Sequence, residues 1–423
     1  MKRLVWIAIG GVTLAALAGG VFFYLGAGHQ YEAGPDAQAS RQQHKTSATT
    51  DEERDASVRA QTLGLLEELN AVQDRVIAGD RGALAEQSRL MATIASVLRK
   101  FQQENWNDYA NVRAAFVYVL SGGEPDVLNP LLNDDMLYAA DRDLAEGIMS
   151  FARGDTQAAR KSFDEIDPRS LDIRLTGPFA LARASLYIGE DEKKAISLLD
   201  DARIAGPHTA IEEAAVRRQI PILMDVGDTP RATMLMADYV RRFGKSAYAW
   251  KLFQSFAVSI AKQADLEDQK MMEDLLSAIS TADPKSKANL CLGIASEALL
   301  NGRIALAGLA ADAVLKITPL LPDQLEKARL YRAAADAPST RAEEALAILS
   351  QMSRNRLSEN DNEIREVASF IARTVIESGK QRPTQMKQTK AGAEGTDTPR
   401  PPGALEQAES AMKEADKLIS ESM

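Results

Sequence analysis

The chain has 423 residues, 50 Lys+Arg against 60 Asp+Glu for a net charge of −10, three His and one Cys. With 45 % apolar and 26 % charged residues it has material for a packed core, so wholesale disorder is excluded. The acidic balance argues against a nucleic-acid binder, one Cys permits no intrachain disulfide, and scattered His leave little for metal chemistry.

Met1-Lys2-Arg3 is a positive start, and no charged residue follows until Glu32. Residues 1–28 read as a signal peptide or an N-terminal membrane anchor. A cleaved signal would use residues 4–15 as its apolar region and Ala16-Leu17-Ala18 as the cleavage site. An uncleaved anchor would use the whole apolar run, which is long enough to span a bilayer. Both place the body outside the cytoplasm, in the periplasm, with the membrane touched only if the anchor is retained.

Residues 29–56 read as a flexible linker, rich in Gly, Pro, Ser, Thr, Gln and charges. Residues 57–379 carry a helical period. Leu90, Ile94, Val97, Leu98 and Phe101 fall on one face, as do Ala195, Leu198, Leu199 and Ala202, and again Ala345, Ile348, Leu349 and Met352. Turn signals recur at Gly79-Asp80, Gly122-Gly123, Gly154-Asp155, Gly189-Glu190, Gly227-Asp228, Ala264-Asp265, Gly302-Arg303 and Ala335-Asp336. Their first residues lie 43, 32, 35, 38, 37, 38 and 33 apart. Pro168, Pro207, Pro284 and Pro319 read as helix stoppers that close units. A two-helix unit of roughly 34–38 residues is the mark of a tetratricopeptide-like array. The fold predicted is therefore all-α: a helical-repeat solenoid with an extended groove, a disordered N-terminal linker and a disordered C-terminal tail.

Residues 380–403 carry a short basic stretch and then a Gly/Pro/Thr-rich run, and read as a disordered linker. Residues 404–423 recover a pattern, with Leu405, Met412 and Ile419 seven apart. Three readings stand: a helix that docks into a partner's groove, one that folds back on its own solenoid, and one that frays in solvent.

Several local patterns suggest chemistry and lack what the chemistry needs. Gly244-Lys245-Ser246 ends like a phosphate loop, but Tyr239 stands where the first Gly belongs and no strand precedes it. It reads as a helix terminus capped by Gly244, with Arg241 and Arg242 on the dipole. Ser259 and Lys262 have the S-x-x-K spacing of penicillin-recognising enzymes without their S-D-N or K-T-G elements; Lys45-Thr46-Ser47 is no K-T-G. His208 with Glu212 and Glu213 lacks a second His for zinc, and the two carboxylates suit a helix N-terminus after Gly206-Pro207. Residues 358–363 look faintly like a calcium loop but lack its glycine and distal Glu, and read as a helix start. Arg153-Gly154-Asp155 reads as a turn. No catalytic, cofactor-binding or metal residue is assigned, and the partner-binding residues are left open. Trp106, Tyr109 and Trp250 are candidate anchors if exposed, and gap fillers between repeats otherwise.

Four segments resemble one family. They are Asn111-Val112-Arg113-Ala114-Ala115-Phe116-Val117-Tyr118-Val119-Leu120-Ser121-Gly122-Gly123 with Pro125, Val127 and Leu128; Leu144-Ala145-Glu146-Gly147 with Phe151-Ala152-Arg153-Gly154; Glu212-Glu213-Ala214-Ala215-Val216-Arg217-Arg218-Gln219-Ile220; and Tyr239-Val240-Arg241-Arg242-Phe243 with Ser246 and Tyr248. These resemble the MotC flagellar-motor proteins of rhizobia and related bacteria. The resemblance is good over residues 65–256, loose over the rest of the helical body, and absent from linker and tail. Gly244 departs from it, standing where the family pattern has Pro. The resemblance implies a non-enzymatic periplasmic protein needed for torque but not for building the flagellum. It also implies two partners, the periplasmic region of the stator protein MotB and a dedicated periplasmic chaperone. The rival reading is a periplasmic scaffold for another cell-envelope assembly.

Overall fold

The structure, a computed structural model, describes residues 47–133, 139–263 and 268–389. The proposed signal or anchor, the linker up to residue 46, the turn at Ala264-Asp265 and the tail pattern over 404–423 lie outside them. Among the described residues there are eighteen α-helices, a few 3₁₀ turns and no strand. The all-α expectation therefore holds.

Two boundaries differ from the sequence reading. The first helix, α1 (Ser47–Ile77), begins well inside the stretch read as linker. The last, α18 (Glu359–Thr389), runs beyond residue 379 into the stretch read as disordered. Polar composition hid both.

The body is built of helix pairs. After α2 (Ala83–Leu98), the short α3 (Gln103–Trp106) and α4 (Tyr109–Leu120) come α5 (Asn129–Asn133), α6 (Ala139–Arg153) and α7 (Thr156–Asp164). A regular series follows: α8 (Ile173–Ser185), α9 (Glu192–Ala205), α10 (Ala210–Asp225), α11 (Thr229–Phe243), α12 (Ala249–Lys262), α13 (Asp268–Ala278), α14 (Pro284–Leu300), α15 (Ile304–Leu315), α16 (Pro322–Asp336), α17 (Ala342–Gln351) and α18. The first helices of these pairs stack on one another from α8 to α18 as one layer. The second helices α11, α13 and α15 stack as another.

The turn inside a pair has a repeated construction. Gly154, Gly189, Gly227 and Gly302 hold positive φ with open space where a Cβ would sit, so conformation alone selects glycine there. Asp155, Asp191 and Asp228 then cap α7, α9 and α11 by accepting a backbone N–H. Between pairs, arginines close open carbonyl ends. Arg183 donates to the Ile166 carbonyl at 2.6 Å, and Arg303 to those of Ile260 and Gln263 at 2.5 and 2.7 Å. A guanidinium fork can serve two carbonyls at once, which a lysine does less well.

Two local expectations are corrected. Pro284 does not stop a helix; it opens α14 behind the cap Asp283, where its missing N–H costs nothing. The turn expected at Ala335-Asp336 comes later, because α16 runs through Asp336. Gly244 is the C-cap of α11, as read, and holds ordinary helical φ. Glycine is required there by close approach: a Cβ would sit 2.7 Å from that of Ser286 on α14.

The apolar interior forms two clusters. One gathers residues from α1 through α10, the other runs from α10 to α18 and takes Ile77 from the end of α1. They meet at α10, which gives Ala214, Ala215 and Ile222 to the first and Val216, Ile220 and Leu223 to the second.

Candidate partner-binding face and the polar junction

Helix α1 lies across the layer of first helices. It buries one stripe, Thr62, Leu66, Leu69, Val72 and Val76, and leaves the opposite face to solvent. It packs on α2, α3 and α4 and then reaches α10. Its end is pinned there: the Ala210 N–H donates to Asp74 at 3.1 Å and the Ala247 N–H to the Val76 carbonyl at 3.3 Å. Gly79, in the following turn, approaches the Lys245 carbonyl so closely that a Cβ would sit 2.7 Å away. A cleft of about 200 Å³ remains under this roof, between Asn70 and Asp74 of α1 and Arg174 and Thr209 opposite. Burial pushes the Asp74 carboxyl up, partly offset by the Ala210 N–H.

The groove expected from the repeat pattern is thus occupied in the first half by the chain's own helix. In the second half the same layer is open. The exposed or half-exposed positions of α12 are Trp250, Lys251, Gln254, Ser255, Val258, Ser259 and Lys262, a single stripe that places Ser259 and Lys262 on one open helix face. On α14 the corresponding positions run from Asn289 through Ser296 to Leu300. Trp250 is 60 % exposed. This mixed surface with one large aromatic is the candidate partner-binding face.

The candidate anchors separate. Trp106 is buried and packs edge-on against Phe101, with ring centres 4.8 Å apart, as a gap filler does. Tyr109 is 55 % exposed, but the Arg113 guanidinium, paired with Asp141, lies over its ring. Trp250 alone of the three stands on the open layer.

Where the roof ends, two carboxylates are buried at the first turn of α10. Glu213 is 1 % exposed and accepts from the Tyr239 hydroxyl at 2.5 Å, the Ser246 hydroxyl at 3.1 Å and Arg217 Nε at 3.2 Å. Glu212 accepts from both Arg242 guanidinium nitrogens and from the His208 N–H at 2.7 Å. Burial pulls the Glu212 carboxyl up, but Arg242 and the backbone donor outweigh it and hold it below its ordinary value. Burial and the neighbouring Glu213 push Tyr239 far up, so it stays protonated and donates. Arg217, which anchors Glu213, also lies over the Tyr248 ring at 4.8 Å.

This junction joins the third and fourth family-like segments, residues 212–220 and 239–248, through side chains about one repeat apart. It absorbs the patterns that mimicked chemistry. His208 takes positive φ at 65° and lends its backbone to Glu212; Ser246 is a buried hydroxyl held by Glu213. Arg241 reaches the Ala278 carbonyl and Arg242 serves Glu212, so neither is chiefly a helix-dipole partner. Ser358 caps α18 and binds Asp361, as a helix start should. Arg153-Gly154-Asp155 is the α6–α7 turn. Among the described residues no group of three or more His, Cys, Asp or Glu is placed to hold a metal ion. No helix there is long and apolar enough to cross a membrane.

The class of protein is thus an all-helical array of paired helices with a polar junction at its middle and one open face. The family described as Chemotaxis protein MotC matches residues 24–423, and the chain belongs to that family. A relative, Chemotaxis protein MotC of Rhizobium meliloti (strain 1021), is 28 % identical over 339 residues, covering 78 % of this chain and 76 % of the relative. The family match takes in the linker and tail, which the sequence resemblance left out.

Proposed function

We propose that this chain is a non-enzymatic periplasmic accessory of the flagellar motor. It supports torque generation by presenting the open face of α12 and α14 to the periplasmic region of the stator protein MotB. A dedicated periplasmic chaperone is the second expected partner. Membership of a motility family supports the process, and the basic start followed by the apolar run 4–28 supports export. First helices that begin at residues 173, 210, 249, 284, 322 and 359 support a tetratricopeptide-like plan.

The observation that carries the reading is the unequal covering of one layer. The chain fills its first half with α1 and leaves Trp250 exposed on the second, where an aromatic anchor suits a binding surface. Mixed polar surroundings suit a transient contact rather than an obligate one.

A deletion strain should make normal numbers of filaments by electron microscopy and fail to swim. Complementation with Trp250→Ala should restore protein level but not swimming, and purified protein should lose at least tenfold in affinity for the periplasmic stator region. Unimpaired swimming of the deletion strain rejects the motor reading and leaves a scaffold for another envelope assembly.

A further inference from the structure

The cleft under α1 is lined by hydrogen-bond acceptors that the chain leaves unmatched. Asp74 Oδ1 takes the Ala210 N–H, while Oδ2 takes no bond, and among the described residues no cation lies within ion-pair distance of this half-buried carboxylate. Pro178, inside α8, has no N–H to give the Arg174 carbonyl, and both residues line the same cleft. Asn70 and Gln73 add side-chain amide oxygens from α1. The walls between these groups are apolar, from Leu66, Val117, Pro178 and Ile211. A carboxylate partly withdrawn from water and given no cation is electrostatically incomplete.

The mouth of the cleft is apolar as well. Ile173 belongs to its lining and, with Ile204 and Leu171, to a shallow depression of about 380 Å³ beside it. Ile173 and Ile204 are 77 % and 78 % exposed. One opens α8 and the other lies in the last turn of α9, so two helix ends hold them at one edge of the array. A single exposed aliphatic needs no explanation, but two that share a depression at the mouth of a cleft mark a surface suited to contact.

We infer that this cleft is a second docking site, separate from the open face of α12 and α14. It takes a lysine side chain of a partner polypeptide, whose flanking apolar residues rest on Ile173 and Ile204. An ammonium has three donors, which match Asp74 Oδ2, the Arg174 carbonyl and an amide oxygen of Gln73 or Asn70. Its four-carbon stem suits the apolar walls. Charge favours this occupant over an acidic one, because Glu67 and Asp74 stand against Arg174 alone in the lining and the whole chain carries −10. A free amine would fill the cleft and leave the two isoleucines bare.

The test uses the full chain and the tripeptide Leu-Lys-Leu, acetylated and amidated at its ends, with binding followed by ligand-observed NMR. Norleucine in place of lysine should weaken binding at least tenfold. Asp74→Asn should do the same while melting with the parent, because asparagine keeps an oxygen for the Ala210 N–H. Ile204→Ser should weaken the tripeptide at least threefold and leave butylamine unchanged, and Arg174→Gln should weaken neither. Four results overturn the proposal: no saturable binding of the tripeptide, equal binding of the norleucine peptide, butylamine bound as tightly as the tripeptide, or loss of binding in Arg174→Gln.

Discussion

Helices α8 and α12 are members of the same layer, nearly equal in length, and lie in different surroundings. In α8 nine of the ten positions from Leu175 through Ala184 are buried, all but Thr176, and they include Pro178 and Arg183. In α12 burial follows the helical period and the intervening stripe is open. The difference is α1. It supplies α4 and α10 with a second apolar neighbour and stands over α8 across the cleft, whereas α12 and α14 have only the second layer behind them. The lesson is that one repeated unit serves two ends: closed over, it is structural; left open, it is available for contact. Each of Leu66, Leu69, Val72 and Val76 contributes about 1.5–3 kcal/mol through burial, so α1 is a fixed part of the first half.

The strongest way to break that difference is to unseat the roof. Leu69→Asp places an unpaired charge in the first apolar cluster and should cost about 4 kcal/mol or more. Limited proteolysis should then cut within α1 to α9 while a fragment containing α12 to α18 survives. Equal protection of both halves would mean that α1 is not what separates them.

Glu213→Ala tests the joint between the halves. It leaves the Tyr239 and Ser246 hydroxyls and Arg217 without their shared acceptor and should cost about 3 kcal/mol. Because α10 feeds both clusters, thermal unfolding followed in each half should shift together. A shift confined to one half would show that the junction does not couple them.

How much of this was legible can be judged from the same residues. The helices of the second half were readable because burial on one side leaves a period, as in Ala345 and Leu349, although Ile348, read on the same face, is exposed. The in-pair turns were readable because positive φ at Gly154, Gly189 and Gly227 selects a residue type. The roof was not read, although a signal existed: α4 and α8 are apolar nearly all round, which implies cover on two sides. What no local pattern holds is the partner. Asp74 meets Ala210 at a separation of 136 residues, and Glu212 meets Arg242 across 30. The junction's residues were visible one by one as failed motifs. Their pairing is a tertiary fact.

A pH titration sharpens the account of the junction by a smaller amount. Burial raises Glu212, yet Arg242 and the His208 N–H bring it below its ordinary value of 4.5. A carboxylate depressed in the folded state contributes stability that is fully present above its unfolded value and is lost as pH falls through the folded one. Asp361 has the same sign: burial raises it, while Ser358, Tyr331 and Lys327 lower it further than burial lifts. The contribution of these two carboxylates to the melting temperature should therefore be flat from pH 7 to about 5 and fall below that, against the opposite sign of the raised Asp74. Glu212→Gln should start lower at pH 7 and fall less steeply between pH 5 and 3, with the Asp361 contribution remaining. An unchanged acid slope would remove Glu212 from the joint.

The smallest expected effect on stability falls at the residue expected to matter most for binding. Trp250 makes its largest exposure on the open layer, with Lys251 near its ring at 5.8 Å. Truncating a side chain that buries little on folding changes stability by no more than about 0.5 kcal/mol. Trp250→Ala should therefore melt with the parent chain while losing the stator region, whereas Trp106→Ala, which opens a cavity beside Phe101, should cost about 3–5 kcal/mol. Measuring both variants by thermal melting and by binding places two tryptophans of one sequence on opposite sides of the same division. If Trp250→Ala melts early, or binds as well as the parent, the open face is merely surface, and the partner must be sought elsewhere on the array.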